Sequence, residues 1–242
     1  MIRHRPLYFI TPSVGAALAP TQLPTLVERA IRGGVGLVQW RQKPSAADLR
    51  ADLHLRREWE RAASVGEPFL LNVARDVRRV AAQFNVPFIV NDSLELALQL
   101  EADGVHVGQT DAPLAQLQGL NLIVGVTVRD GAQARAACEG GATYLGAGPV
   151  FSSSTKPHAN DGHLIGIDGL RACTEVAREF GVPVYAIGGL SLDERRIQRC
   201  ITEGGTSGVA VVAAIGGAHD VEGSAAAISA ELESVLAGSD ST

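Results

Sequence analysis

No apolar run in the chain approaches the roughly twenty residues needed to span a bilayer, and the N-terminal MIRHRPLYFITP lacks the hydrophobic stretch of a secretion signal. These absences argue against membrane insertion, so a cytoplasmic location is expected. Cysteine is scarce. Cys138, Cys173 and Cys200 stand far apart without metal-type pairing, and two fall in alanine- and arginine-containing helical stretches, so they read as reduced structural residues. Positive charge is also in short supply. A formal net charge of -5 argues against general attraction to nucleic acid, which rests on many Lys and Arg side chains neutralising phosphates. Any anionic ligand must therefore be held by local cations. No G-x-G-x-x-G follows the first β-rich run, which counts against a dinucleotide-binding open sheet. No Ser-His-Asp arrangement stands out, and no linker or low-complexity block divides the chain.

What remains is an alternation of two kinds of segment. Short β-rich runs end in glycine or polar residues, and most are followed by alanine-rich stretches of helical composition, which is the pattern of parallel strands joined by helices. Eight such runs are read: 7–11, 36–41, 88–91, 104–107, 122–127, 144–148, 184–188 and 208–212. Segments such as LIVGVTV and GVAVVAAI are apolar throughout, as strands covered on both faces require. Eight strands in 242 residues, with 46% hydrophobic and 19% charged residues, predict a single (β/α)8 barrel domain. An open doubly wound sheet is the structural rival. The tail after Glu231 is expected to fray beyond Ala237. The segment between Lys43 and Asn91 is longer than a barrel unit needs, and its PFLLNVA patch can be a ninth strand outside the barrel or a helix cap.

Reactive groups in such barrels sit at the C-terminal ends of the strands. Alternation along VQWRQK places Gln39, Arg41 and Lys43 on one side, and sends Trp40 toward the outer helices. Arg and Lys together suit an anionic ligand, because a guanidinium forks phosphate oxygens and an ammonium adds a point charge. The same residues can also simply close a strand in water. The third and fourth runs end in Asn91-Asp92 and, after DGVHVGQTD, in Asp111. Two carboxylates there match what Mg2+ prefers: one or two acidic ligands completed by waters and phosphate oxygens. Each aspartate can instead cap a helix, Asp92 before Leu94 and Asp111 near Pro113. His106 lies inside a strand and is read as a core histidine.

The sixth run ends in GAGPVFSSSTK and continues through HANDGH, a polar loop able to fold over a ligand. Ser153, Thr155 and Lys156 would then supply hydrogen bonds and charge, whereas His158 and His163 are read as ordinary loop residues. Gly188 and Gly189 close the seventh run, and the eighth leads directly to a short helix. Bare amides after these two strands form a common phosphate site in barrels, although a Gly-Gly pair is also an ordinary turn.

The ordered set VQWRQK, FIVNDS, ADGVHVGQTD, GVTVRD, GPVFSSSTK, VYAIGG and GVAVVAAI resembles the thiamine-phosphate synthase family, within the thiamine synthase and thiazole tautomerase superfamily, and covers nearly the whole chain. The resemblance implies an enzyme that joins hydroxymethylpyrimidine diphosphate to a thiazole phosphate, releasing diphosphate and forming thiamine phosphate. It further implies that Gln39, Arg41, Lys43, Asn91 and Lys156 hold the pyrimidine diphosphate, with Arg41, Lys43 and Lys156 assisting its departure. Asp92 and Asp111 would bind Mg2+. Thr127 stands where a serine beside the pyrimidine is common. Ser153 and Thr155 would face the thiazole phosphate, and Gly188, Gly189 and the backbone at Val212 and Ala213 would cradle it. Ala213 departs from a common serine, and Arg129 from a common histidine. A homodimer is implied in the same way. The alternatives are a thiazole tautomerase-like enzyme, which relies on the histidine that Arg129 replaces, and a non-catalytic barrel that binds thiamine phosphate.

Overall fold

The computed structural model describes residues 5–15, 17–65, 68–109, 111, 113–152 and 164–239. All eight expected strands form, each at or within a residue or two of its expected ends: β1 (Leu7–Ile10), β2 (Leu37–Trp40), β3 (Phe88–Asn91), β4 (Gly104–Val107), β5 (Ile123–Val128), β6 (Tyr144–Ala147), β7 (Val184–Ile187) and β8 (Gly208–Val211). They lie parallel in sequence order, and β8 pairs with β1 to close the barrel. Closure removes every sheet edge, so strands this short are hydrogen-bonded on both sides.

The helices among the described residues are α1 (Leu23–Arg32), α2 (Ala46–Ala51), α3 (Leu53–Val65), α4 (Leu71–Gln83), α5 (Leu94–Gln99), α6 (Gly131–Glu139), α7 (Gly166–Glu179), α8 (Arg196–Thr202), α9 (Ala213–Gly216) and α10 (Val221–Ser239). In α1 the buried residues Leu23, Leu26, Val27, Ala30 and Ile31 recur at helical spacing and form one apolar stripe toward the sheet. The long segment before β3 is helical. α2, α3 and α4 occupy it, and the PFLLNVA patch is a helix start rather than a ninth strand, with Leu70 turned left-handed (φ 58°) just before α4. Trp59 meets Phe69 edge to face at 4.9 Å, which ties α3 to that turn. Between β4 and β5 the described chain makes a single 3₁₀ turn, Leu114–Gln116, in place of an α-helix. α10 runs on past Ala237 to Ser239.

Side chains alternate across the barrel wall. Phe9, Val38, Trp40, Phe88, Val90 and Leu145 face outward into the shell shared with the helices. Tyr8, Leu37, Ile89, Tyr144, Tyr185 and Ala210 point into the barrel. Tyr8, Tyr144 and Tyr185 form a closed triangle there, with ring centroids 5.6–5.7 Å apart and near-perpendicular planes. Edge-to-face rings fill the width of an eight-stranded barrel and contribute about 0.5–1.5 kcal/mol per pair beyond the area they bury. Space for them comes from the neighbouring strand, where Gly125 pairs in register with Tyr144. A Cβ on Gly125 of β5 would lie 2.3 Å from the Tyr144 hydroxyl and 2.4 Å from His106 Nδ1.

Gly125→Ala should accordingly destabilise the fold by roughly 1–3 kcal/mol through overpacking. Urea unfolding measures this, and an unchanged midpoint would mean that the interior rings are not packed against β5.

Candidate active site

The end of β2 is held by the loop that follows β1. Thr11 Oγ1 accepts the Arg41 N–H at 3.0 Å and donates to the Arg41 carbonyl at 3.3 Å, and Ser13 Oγ accepts the Lys43 N–H at 3.0 Å. Between them the Gln42 side chain turns the other way. Its Oε1 accepts from Val14 N–H and its Nε2 donates to the Pro12 carbonyl, both at 2.9 Å. With their backbone fastened on one side, Arg41 and Lys43 are presented on the other. Thr11, Ser13 and Gln42 were not singled out in the sequence, because their role depends on contacts about thirty positions away in the chain.

Arg41 is half-buried, and burial pushes its pKa down from the ordinary guanidinium value while the charge of Asp92 works against that fall. Among the described residues no hydrogen bond engages this guanidinium. Lys43 forms an ion pair with Asp92. Arg41, Lys43 and Asp92 are therefore one charged group at the mouth, and Asn91 ends β3 directly beside them.

Neither aspartate serves as a helix cap. The N-cap of α5 is Ser93, whose hydroxyl accepts the Leu96 N–H at 3.1 Å, so the Asp92 carboxylate is not spent on the helix. Asp92 itself is left-handed (φ 66°), with its N–H bonded to the His106 carbonyl at 2.7 Å. Asp111 does not cap the following turn either. Its Oδ2 accepts the Gly108 N–H at 2.7 Å, and a Cβ on Gly108 would come within 2.9 Å of that oxygen. Among the described residues no cluster of three or more His, Cys, Asp or Glu side chains is arranged to hold a metal. Two carboxylates on neighbouring strand ends remain, a hard-oxygen set that fits Mg2+ only when phosphate and water complete it.

Gln39 and His106 lie deeper. Gln39 Nε2 donates to the Tyr8 hydroxyl, which lies 2.7 Å from the Tyr144 hydroxyl. His106 Nδ1 is 3.0 Å from the Tyr144 hydroxyl, and its Nε2 is 2.8 Å from Thr127 Oγ1. His106 is the fully bonded core histidine expected. Its pKa is pushed down from 6.5 to about 4 by burial, with the charge of Asp111 opposing the shift.

At the far side, Gly188 and Gly189 adopt positive φ of 100° and 65°. Each has a packing reason to be glycine, since a Cβ would meet Pro149 at 2.6 Å or the Ser152 carbonyl at 2.3 Å. α9 begins at Ala213, immediately after Val212. Arg129 contributes its backbone N–H to Gln133 Oε1 at the start of α6. Ser153, Thr155 and Lys156 lie outside the described residues, as do His158 and His163.

Fold and mouth together define a parallel-barrel enzyme whose strand ends gather cations and carboxylates. The family model described as thiamine monophosphate synthase matches residues 7–215. A thiamine-phosphate synthase of Geobacillus thermodenitrificans is 36% identical over 224 residues, covering 92% of this chain and 89% of that protein. One of Chloroflexus aurantiacus is 37% identical over 202 residues, covering 83% and 81%. A solved thiamine phosphate pyrophosphorylase from Pyrococcus furiosus superimposes with a TM-score of 0.72 at 30% identity, covering 98% of this chain and all of that one. The chain belongs to the thiamine-phosphate synthase family, and with it to the transferases of thiamine biosynthesis.

The buried His106 makes stability depend on pH. Its folded pKa lies below the unfolded value, so the unfolded chain binds the extra proton first and stability falls as pH drops from 6.5 toward 4. Between about pH 7 and pH 5 this group alone should cost roughly 2 kcal/mol. Unfolding free energies of the parent chain and of His106→Gln across that range give the difference, and parallel pH profiles would show that the ring is not held neutral.

Proposed function

We propose that the chain couples hydroxymethylpyrimidine diphosphate to hydroxyethylthiazole phosphate, giving thiamine phosphate and diphosphate, with Mg2+ held by Asp92 and Asp111. One observation carries the reading: a half-buried Arg41 guanidinium with no hydrogen-bond partner among the described residues, beside the Lys43–Asp92 pair. A cation placed in that way is matched by an anion with several oxygens. Family membership names the anion.

In this reading Gln39, Asn91 and Thr127 orient the pyrimidine, and Arg41, Lys43 and Lys156 hold its diphosphate. Breaking the C–O bond at the pyrimidine methylene sends the electron pair to diphosphate, and the thiazole nitrogen forms the new C–N bond. Preorganised positive charge at the leaving oxygens lowers that barrier, and no protein nucleophile is needed. Bound Mg2+ would neutralise part of the charge that builds on the departing diphosphate. Lys43 exchanges its contact with Asp92 for the substrate, which leaves that carboxylate to the metal. Ser153, Thr155, Gly188, Gly189 and the backbone at Val212 and Ala213 take the thiazole phosphate. Positive φ at both glycines and the start of α9 support this second zone, since both leave backbone N–H groups able to turn toward an anion. The reaction belongs in the cytoplasm, and a homodimer is carried over as the assembly. No helix among the described residues is long and apolar enough to cross a membrane.

Mixing the purified chain with both substrates and Mg2+ should yield thiamine phosphate by chromatography, and no product with Mg2+ present would refute the reading. Asp92→Asn and Asp111→Asn should each lower kcat by about 100-fold or more, the usual scale for losing one charge-stabilising group, while far-ultraviolet circular dichroism stays unchanged. Normal turnover in both variants would remove the metal from these residues.

A further inference from the structure

The contacts among Gln39, Tyr8, Tyr144, His106 and Thr127 form one unbroken line through the barrel interior, from β2 to β5. Both ends are residues of the pyrimidine site in the reading above. The three in the middle touch no substrate in that reading. Their donor and acceptor capacities make the line directional.

Gln39 Nε2 donates to the Tyr8 oxygen and cannot accept in return, so the one Tyr8 hydroxyl hydrogen goes to Tyr144. Tyr144 has now accepted, so its own hydrogen goes to His106 Nδ1. A ring nitrogen that accepts carries no proton, so the hydrogen of the imidazole sits on Nε2 and is donated to Thr127 Oγ1. Thr127 is half-buried near the mouth, and its hydroxyl hydrogen can no longer point at His106. It is left for a ligand. Turning over the Gln39 amide would reverse every link and leave Thr127 with only lone pairs to offer.

We propose that Tyr8, Tyr144 and His106 are positioning residues, whose directional hydrogen-bond chain makes the Thr127 hydroxyl a donor and the Gln39 carbonyl oxygen an acceptor toward the pyrimidine substrate. Recognition at the two ends is thereby coupled. A heterocycle that touches both must bring a donor to Gln39 and an acceptor to Thr127, and one with the opposite pattern is refused at both ends together. Room for the chain is built into the wall: Cβ atoms on Gly125 and Gly146 would lie 2.4 Å from His106 Nδ1 and 3.1 Å from its Cε1. The substrate part of this inference rests on the proposed coupling reaction, whereas the direction of the chain does not.

Nitrogen-15 NMR of histidine-labelled protein, with His106 assigned by difference from His106→Gln, reads the direction without any substrate. The expected spectrum has the proton on Nε2 and a pyridine-like Nδ1, and Tyr144→Phe redistributes the proton between the two nitrogens. A proton on Nδ1 in the parent chain, or no change in Tyr144→Phe, overturns the proposed direction. Kinetics test the consequence. Tyr8→Phe and Tyr144→Phe keep the rings and remove one hydroxyl each, and should raise KM for the pyrimidine diphosphate about five- to tenfold, as loss of one oriented hydrogen bond would. KM for the thiazole phosphate should stay unchanged. Both KM values rising together, or neither rising, refutes a positioning role even if the spectrum is as expected. If no coupling occurs at all, the failure lies with the proposed reaction, and the spectrum still decides the chain.

Discussion

The interior of this barrel is organised by hydroxyl groups that have to be satisfied. Tyr8 and Tyr144 are essentially inaccessible to solvent, and burial raises both phenolic pKa values far above the ordinary range. A buried hydroxyl without a partner costs about 1–3 kcal/mol, so each must find another polar group inside the wall. They find each other, then Gln39 and His106. No buried side-chain nitrogen or oxygen among the described residues lacks a partner. The small residues of the wall follow from this requirement, with Gly125 and Gly146 placed where a methyl group would strike the network.

From that centre the barrel divides along its axis. At one end the Tyr185 hydroxyl reaches the Arg5 carbonyl at 3.0 Å, close to where the chain enters β1. At the other end β2, β3 and β5 emerge as Arg41, Asn91-Asp92 and Thr127, and the loop after β1 folds across β2 to hold Arg41 and Lys43 in place. Rigid packing below and charge above are thus two ends of one barrel. A site on strand ends inherits their precision, which electrostatic stabilisation of a leaving group requires.

Local pattern carried much of this. Period-two alternation separated Trp40 from Gln39, and apolar runs ending in glycine or polar residues located all eight strands. It was less informative where periodicity was absent: PFLLNVA is seven residues with no clear repeat, and only its neighbours in space decide that it opens α4. Whether Asp92 caps the helix turned on a single position, because Ser93 takes the cap and no spacing rule separates adjacent cap-forming residues. Gly188 and Gly189 show the opposite limit. Their positive φ fits the phosphate reading, but the clashes with Pro149 and Ser152 give them a second cause that lies in tertiary contact. His106 was legible as a core histidine, whereas its link to Tyr144, 38 positions away, was not.

The central claim is that the mouth of this barrel binds diphosphate through Arg41, Lys43 and a metal on Asp92 and Asp111. A crystal structure with diphosphate, thiamine phosphate and Mn2+ in place of Mg2+ tests it most directly. The expected result is an anomalous peak coordinated by both aspartates and by diphosphate oxygens, with the Arg41 guanidinium on the same anion. Diphosphate bound elsewhere, or a manganese peak that touches neither aspartate, would contradict it.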